Sequence, residues 1–306
     1  MSYQILLAQP IDPCGVNYLL QRNCSIKVGA GDSPDYLRGM MAQCDGVISK
    51  TLFLPEEVMI DCPRLRVIVK HGVGIDNVVD IQAAIRLGVR VYNTPHANTN
   101  SVAEFIIGLV IACAKRLREM MDLAGMDAPD PTPFAGTDLS GKTLGILGTG
   151  NIGLAVAKKA YYGLDMRILG YNRSDKVVPD YIQRANSLQE LFSCSDFVSI
   201  NVPLTVETVG LVSRQLLHLM KSTAYLINTS RGSVIDEQAL YSTLAEKRIA
   251  GAALDVWEDI HVKKAILEYL PNVIVTPHCG AISREALMRM SLDSATAMWN
   301  ALTGNR

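Results

Sequence analysis

The sequence has no C-x-x-C pair, no apolar run long enough to cross a bilayer and no excess of either charge. Each absence removes a class of function. Seven cysteines (14, 24, 44, 62, 113, 194 and 279) are scattered without metal-ligand spacing, which predicts free buried thiols, no metal site and a reducing, cytoplasmic setting. The longest apolar stretch, Val102–Ala114, has 13 residues, against the roughly 20 that a spanning helix needs. The opening MSYQILLAQP lacks a basic segment followed by a long apolar core, so it reads as a first strand and not as a targeting peptide. A net charge of −1 gives neither nucleic acid nor an anionic membrane a reason to bind.

What is present is the composition of a globular chain, 49% hydrophobic and 19% charged, and 306 residues suffice for two domains with separate cores. Residues 1–98 alternate strand and helix. Gln4–Ala8, Ser25–Val28, Gly46–Ser49, Val67–Lys70 and Arg90–Tyr92 are predicted strands, with helices Cys14–Arg22, Pro34–Gln43 and Ile81–Leu87 between them. Such alternation predicts a parallel sheet flanked by helices. The polar loop Asn93–Asn100 reads as a hinge, and Ser101-Val102-Ala103-Glu104 as a capping box that opens an apolar helix over Val102–Arg118. That helix is hydrophobic nearly all round, so it is expected to be buried between domains or against a second copy of the chain. The charges at its end (Lys115, Arg116, Arg118, Glu119 and Asp122) read as a solvated terminus. Residues 125–137, with three prolines, read as a loop, and 282–306 as a helix that packs back on the first domain.

The stretch Thr143–Gly153, TLGILGTGNIG, is the most informative. Leu144, Ile146 and Leu147 form a short apolar run suited to a buried parallel strand. Gly148, Gly150 and Gly153 follow in G-x-G-x-x-G spacing, and a helix continues from Leu154 to Ala160. The first glycine permits a tight turn, the second lets the backbone approach a pyrophosphate, and the third lets helix pack on strand. Free N–H groups at the helix start, around Asn151 and Ile152, hold the phosphates. Strand, turn and helix in this order favour dinucleotide binding over a plain glycine turn.

The next strand, Met166–Tyr171, ends in Asn172-Arg173. A carboxylate there would favour NAD by binding the ribose hydroxyls. Neutral Asn172 does not repel a 2′-phosphate and Arg173 can pair with one, so NADP is favoured over NAD; a solvated turn arginine is the alternative. Further strands at Phe197–Asn201, Ala224–Asn228, Ala252–Val256 and Val273–Val275 each end in a loop: Val202–Thr205, Thr229–Gly232, Trp257–Ile260 and Thr276–Gly280. In a doubly wound sheet these loops line one crevice beside the cofactor. In the first domain, Gly72–Asp76 lacks a third glycine, and the amides of Val73 and Gly74 suit a small anion nest, with a mere turn as the alternative. Lys70, just before, reads as a surface lysine, with a phosphate contact as the alternative.

HGVGIDN at 71–77, NTNSVAE at 98–104, GKTLGILGTGNIG at 141–153, VPLTVET at 202–208, NTSRGSVIDEQAL at 228–240, GAALDVWE at 251–258 and TPHCGA at 276–281 together resemble the D-isomer-specific 2-hydroxyacid dehydrogenase family. The resemblance covers essentially the whole chain. It implies an α/β fold of two doubly wound parallel-sheet domains: a Rossmann nucleotide domain (99–281) inserted into a flavodoxin-like substrate domain (1–98 with 282–306), with the active site in the cleft. It implies an oxidoreductase that moves hydride between a nicotinamide cofactor, NADP or NAD, and a small D-2-hydroxy or 2-keto acid of the hydroxypyruvate, glyoxylate or phosphoglycerate type. A homodimer is implied as well, without the regulatory domain of longer phosphoglycerate dehydrogenases. His278 matches the family's acid/base histidine and Arg231 its substrate-binding arginine. Asp255, Thr229 and Ser230 match positions around the nicotinamide ring, Val202, Pro203 and Gly280 lie in the adjoining cofactor loops, and Val73 and Gly74 match the loop that holds the substrate carboxylate.

The chemistry asks for these residue types. Reducing a 2-keto acid puts negative charge on the carbonyl oxygen, which an imidazolium can protonate near neutral pH and a guanidinium can stabilise. One group departs from the pattern. The family places a glutamate 29 residues after the arginine, in a Glu-Pro pair, to orient the histidine; here Ile260 and His261 stand there, with Asp259 and Glu258 as nearby substitutes. Without a partner carboxylate, keto-acid reduction is expected to decline as pH rises past about 6.5. His96 replaces a usual glycine in the hinge loop, and one extra residue lies within Tyr161–Asp165. The alternative to an enzyme is a nicotinamide-nucleotide-sensing binding protein of the same fold.

Overall fold

The computed structural model describes residues 2–124, 130–257 and 270–304. The chain divides into two compact units, residues 1–98 with 282–306 and residues 99–281. In the first, β1 (Gln4–Leu7), β2 (Ser25–Val28), β3 (Gly46–Ser49), β4 (Val67–Lys70) and β5 (Arg90–Tyr92) form a wholly parallel sheet in the order β2-β1-β3-β4-β5. The inner strands β1, β3 and β4 are buried on both faces because both are covered. Ile5 and Leu7 meet Leu19, Ala295 and Met298 on one side, and Leu6 meets Leu37, Met41 and Ala83 on the other. These partners come from α1 (Pro13–Leu20) and the helix Arg284–Thr303 on the first face, and from α2 (Pro34–Met41) and α4 (Ile81–Arg86) on the second. A one-turn helix, α3 (Glu56–Met59), was not expected from the sequence. Side chains of Asp12, Asp80 and Ser283 accept from the first-turn amides of Cys14, Ala83 and Ala286, which fixes where three of these helices start.

Lys70 at the end of β4 and His71 directly after it are both buried. Lys70 is 8% exposed and its Nζ donates to the carbonyl of Lys50, so it is a buried lysine and not a surface one. His71 is buried with no partner for Nε2 among the described residues; burial, then the Lys50 charge, lowers its pKa from 6.5 to about 4. The folded chain therefore holds this ring neutral, while the unfolded chain binds a proton below 6.5. Stability is thus unaffected above that value and falls as pH drops toward about 4. At pH 5 the loss is expected to be about 2 kcal/mol. Urea unfolding of wild type and His71→Leu at pH 7 and pH 5 checks this: the variant should lack that part of the acid-side loss.

The second unit contains α5 (Thr99–Ala114), α6 (Leu117–Leu123), β6 (Thr143–Leu147), α7 (Asn151–Leu164), β7 (Arg167–Tyr171), β8 (Ile182–Arg184), α8 (Leu188–Cys194) and β9 (Phe197–Ile200). After them come α9 (Arg214–Leu219), β10 (Tyr225–Asn228), α10 (Glu237–Ala245), β11 (Gly251–Leu254) and β12 (Val273–Val275). The sheet order is β12-β11-β10-β9-β6-β7-β8, with every pair parallel. The order reverses between β6 and β9, and ligands of open α/β sheets bind at the carboxyl ends of strands at such a reversal.

Three sequence expectations fail in this unit. The capping box does not form: α5 begins at Thr99, so Ser101 already lies in the helix with its side chain buried. Glu104 instead receives hydrogen bonds from Asn100 Nδ2 (2.7 Å) and Lys159 Nζ (3.2 Å). Nor does the helix reach Arg118, because Arg116 turns to φ 51° and starts the separate helix α6. The charged end is only partly solvated: Glu119 is 14% exposed in its pair with Arg116, and that guanidinium lies 5.1 Å from the Phe134 ring centre. Coverage of α5 comes largely from its own unit, through α7, β10 and β11, while Glu104 and Gly108 stay exposed. Among the cysteines, Cys24, Cys44, Cys62 and Cys113 are buried free thiols, but Cys194 is exposed.

Candidate functional site

The glycine turn sits at the carboxyl end of β6, at the reversal of strand order. Gly148 has φ 95°, and a Cβ there would lie 2.8 Å from Asn201 O, so both conformation and space demand glycine. A Cβ on Gly153 would overlap the Gly148 carbonyl, which is how closely α7 packs on the turn. Gly150 differs: a Cβ would meet nothing within 4 Å, leaving open space in front of the first amides of α7. Thr149 adds a buried hydroxyl without a partner among the described residues. A tight turn and an open middle glycine at the start of a helix fit a dinucleotide pyrophosphate.

Beside the turn, Asn172 at the end of β7 uses Oδ1 to accept from Thr149 N (3.1 Å), tying the two loops together. Arg173 is exposed, with its guanidinium 3.8 Å from the Glu207 carboxylate. Val202 and Pro203 follow β9, and the Val202 side chain lies against Gly148. After β10, the Asn228 side chain organises the next loop: Oδ1 accepts from Ser230 N (3.0 Å) and Oγ (2.8 Å), and Nδ2 donates to Arg231 O (2.9 Å). Arg231 is thereby held in extended conformation, half-buried, with Nη1 donating to Ser230 O (2.8 Å).

Asp255 follows β11, is 1% exposed, and accepts from Thr276 Oγ1 (2.6 Å), Cys279 N (2.9 Å) and Gly280 N (2.9 Å). The loop it holds follows β12 and carries His278, whose imidazole is exposed and whose backbone is left-handed at φ 54°. That conformation costs a non-glycine residue roughly 1–2 kcal/mol. Arg231, Asp255 and His278 thus arrive at the carboxyl ends of three neighbouring strands, β10, β11 and β12. In the first unit, Gly72 has φ 129° and the following loop is pinned by Asn93 Nδ2 donating to Val73 O (2.6 Å). Among the described residues the Val73 and Gly74 amides have no acceptor, as an anion nest requires.

A cavity of about 610 Å³ opens at the opposite, amino-terminal edge of the second unit's sheet, lined by Phe134, Tyr225 and Asn272, away from these loops. No group of three metal-ligating side chains occurs among the described residues, and none of their helices is long and apolar enough to cross a membrane.

The sequence model described as "D-isomer specific 2-hydroxyacid dehydrogenase, NAD binding domain" matches residues 107–280. A glyoxylate reductase from Thermococcus gammatolerans is 43% identical over 256 residues, 80% of this chain and 76% of that protein. The chain belongs to the D-isomer specific 2-hydroxyacid dehydrogenase family. A D-3-phosphoglycerate dehydrogenase from Methanocaldococcus jannaschii is 34% identical over 92% of the chain, which spans only 54% of that protein's length. An NADPH-dependent glyoxylate/hydroxypyruvate reductase from Sinorhizobium meliloti, solved with NADP and malonate, superposes with a TM-score of 0.85 at 27% identity, over 98% of this chain and 94% of that one. As a family member the chain is a nicotinamide-dependent oxidoreductase with the two-sheet α/β fold, and no observation favours the nucleotide-sensing alternative.

The acid expected beside the histidine lies beyond this geometry, since Glu258, Asp259, Ile260 and His261 fall outside the described residues. Sequence reasoning missed the Asn228 side chain that shapes the arginine loop, and the role of Thr276 in the histidine loop. Asn228 and Thr276 stand within the motifs quoted, but nothing in a linear motif tells which polar side chain turns inward.

Proposed function

We propose that the chain reduces small 2-keto acids to D-2-hydroxy acids with NADPH, with glyoxylate and hydroxypyruvate as the leading substrates and 3-phosphohydroxypyruvate as a further candidate. The observation that carries the reading is the convergence of Arg231, Asp255 and His278 on one edge of the sheet that also bears the glycine turn. The names of the glyoxylate reductase and of the NADPH-dependent reductase support it. In this reading the amides of Gly150, Asn151 and Ile152 hold the pyrophosphate, aided by Gly148 and Gly153, which shape the turn. Asn172 and Arg173 receive the adenosine end, while Val202, Pro203, Thr229, Ser230 and Gly280 border the nicotinamide. When bound, the reduced nicotinamide supplies hydride to the carbonyl carbon.

The chain's own residues do the rest. His278 delivers a proton to the carbonyl oxygen, its exposed ring being accessible to an incoming acid. Arg231 pairs with the substrate carboxylate and lowers the energy of the developing oxyanion. The Val73 and Gly74 amides of the first unit are a proposed carboxylate nest in their own right. A homodimer covering the half-buried Ile107 and Ile111 of α5 belongs to the same proposal, to be checked by light scattering. So does a cytoplasmic location, which suits the free thiols.

The test is turnover of glyoxylate, hydroxypyruvate, pyruvate and 3-phosphohydroxypyruvate with NADH and NADPH in parallel. Turnover with NADPH preferred is expected; cofactor binding without turnover of any acid overturns the reading. Arg173→Ala is expected to raise the KM for NADPH about tenfold, the worth of one exposed charge-assisted contact, and to leave the KM for NADH unchanged. An equal effect on both cofactors would remove the 2′-phosphate assignment.

A further inference from the structure

We propose that Asp255 is the positioning residue for His278: its buried carboxylate fastens loop 276–280 in the one backbone conformation that presents the imidazole. The proposal rests on the reading of His278 as the proton donor. The sequence resemblance places Asp255 beside the nicotinamide, yet the carboxylate is turned into the protein, where both oxygens are engaged by the histidine loop. Oδ1 accepts from Thr276 Oγ1 (2.6 Å) and Cys279 N (2.9 Å), and Oδ2 from Gly280 N (2.9 Å). The three donors bracket His278 on both sides. Asp255 is itself fixed through its own amide, which donates to Asn228 O (2.9 Å), and it is 1% exposed.

The loop needs such a fastening. His278 is left-handed at φ 54°, and its amide closes a tight turn on Thr276 O (3.0 Å) around Pro277. A left-handed histidine persists only where the surroundings over-determine it. Hydrogen bonds to a charged acceptor are the strong kind, and three of them converge here on a single carboxylate. Space is restrictive too: a Cβ on Gly280 would lie 3.1 Å from Asp255 Oδ2 and 3.1 Å from Phe105 Cδ1, so a glycine here lets the loop backbone approach the carboxylate closely. Asparagine cannot replace the aspartate. With its oxygen toward Thr276 and Cys279, its NH₂ group faces the Gly280 N–H, donor against donor.

The experiment compares Asp255→Asn, Thr276→Val and Thr276→Ser with wild type in three measurements. These are kcat and KM for the keto acid at saturating reduced cofactor, cofactor Kd by fluorescence, and the ¹³Cε1 histidine resonances of the cofactor-free protein, with His278 assigned by its absence in His278→Asn. Asp255→Asn is expected to lower kcat 10- to 100-fold, because displacing a reacting group by about 1 Å has that effect. Cofactor Kd should stay within threefold, and the His278 resonance should shift or broaden. Thr276→Val should reproduce the effects in part and Thr276→Ser should restore them, so Thr276 supplies the test if Asp255→Asn does not fold. A raised cofactor Kd with kcat and the His278 resonance unchanged would overturn the proposal, making Asp255 a cofactor contact only. If wild type reduces no acid, the functional reading fails, whereas the resonance still decides whether Asp255 holds His278.

Discussion

His278→Asn is expected to lower kcat for keto-acid reduction by about 10²- to 10⁴-fold, the usual contribution of a general acid, and to leave cofactor affinity within threefold. The asparagine side chain keeps a hydrogen-bond donor near the carbonyl oxygen but cannot release a proton at neutral pH, so it separates proton transfer from binding. Asparagine also tolerates the left-handed backbone that residue 278 adopts at φ 54°, so the substitution does not force the loop to refold. An alanine there would confound the two effects. The pH profile gives a second reading: the variant should lose the decline of reduction with rising pH that accompanies deprotonation of the wild-type acid. A variant within fivefold of wild type at all pH values would show that another group supplies the proton.

The fold was largely legible because its strongest signals are short-range. Runs such as Val67–Val69 and Gly46–Ile48 are apolar at successive positions because helices cover both sides of the sheet. The strand Ile182–Arg184 was invisible for the opposite reason: it is three residues long, at the sheet edge, with only Ile182 buried. The failed capping box shows a local rule losing to its neighbours. Ser101 and Glu104 have the right types and spacing, but the helix extends back to Thr99, and a residue with helical backbone cannot be the cap.

The same distinction runs through the site. Gly148 and Gly153 were legible because each answers to a steric requirement at its own position, seen in the Gly148 φ of 95° and in the packing of Gly153 on the turn. Burial of charge was not. Lys70 is held by the carbonyl of Lys50, and the Arg116 that pairs with Glu119 packs near the Phe134 ring, contacts between segments well separated in sequence. The link from Asp255 to Thr276, Cys279 and Gly280 likewise spans 21 to 25 residues. It requires β11 and β12 to lie side by side, a fact of topology and not of motif.

Arg231→Ala is expected to lower kcat/KM for the keto acid about 10³- to 10⁴-fold, with both parameters affected. Two contributions combine. Loss of a bidentate carboxylate contact raises KM, and loss of a positive charge facing the developing oxyanion lowers kcat, the latter by itself about 10²- to 10³-fold. Arg231→Lys separates them: an ammonium restores the charge but not the planar fork, so kcat should recover further than KM. The protein should stay folded in both variants, because the loop is held by the Asn228 side chain on Ser230 and on the carbonyl of residue 231, which any side chain there retains. Added guanidinium ion should then restore part of the alanine variant's turnover at fixed ionic strength, since the space and the partner charge remain. A loss confined to KM would assign Arg231 to substrate capture alone and would place stabilisation of the oxyanion elsewhere in the site.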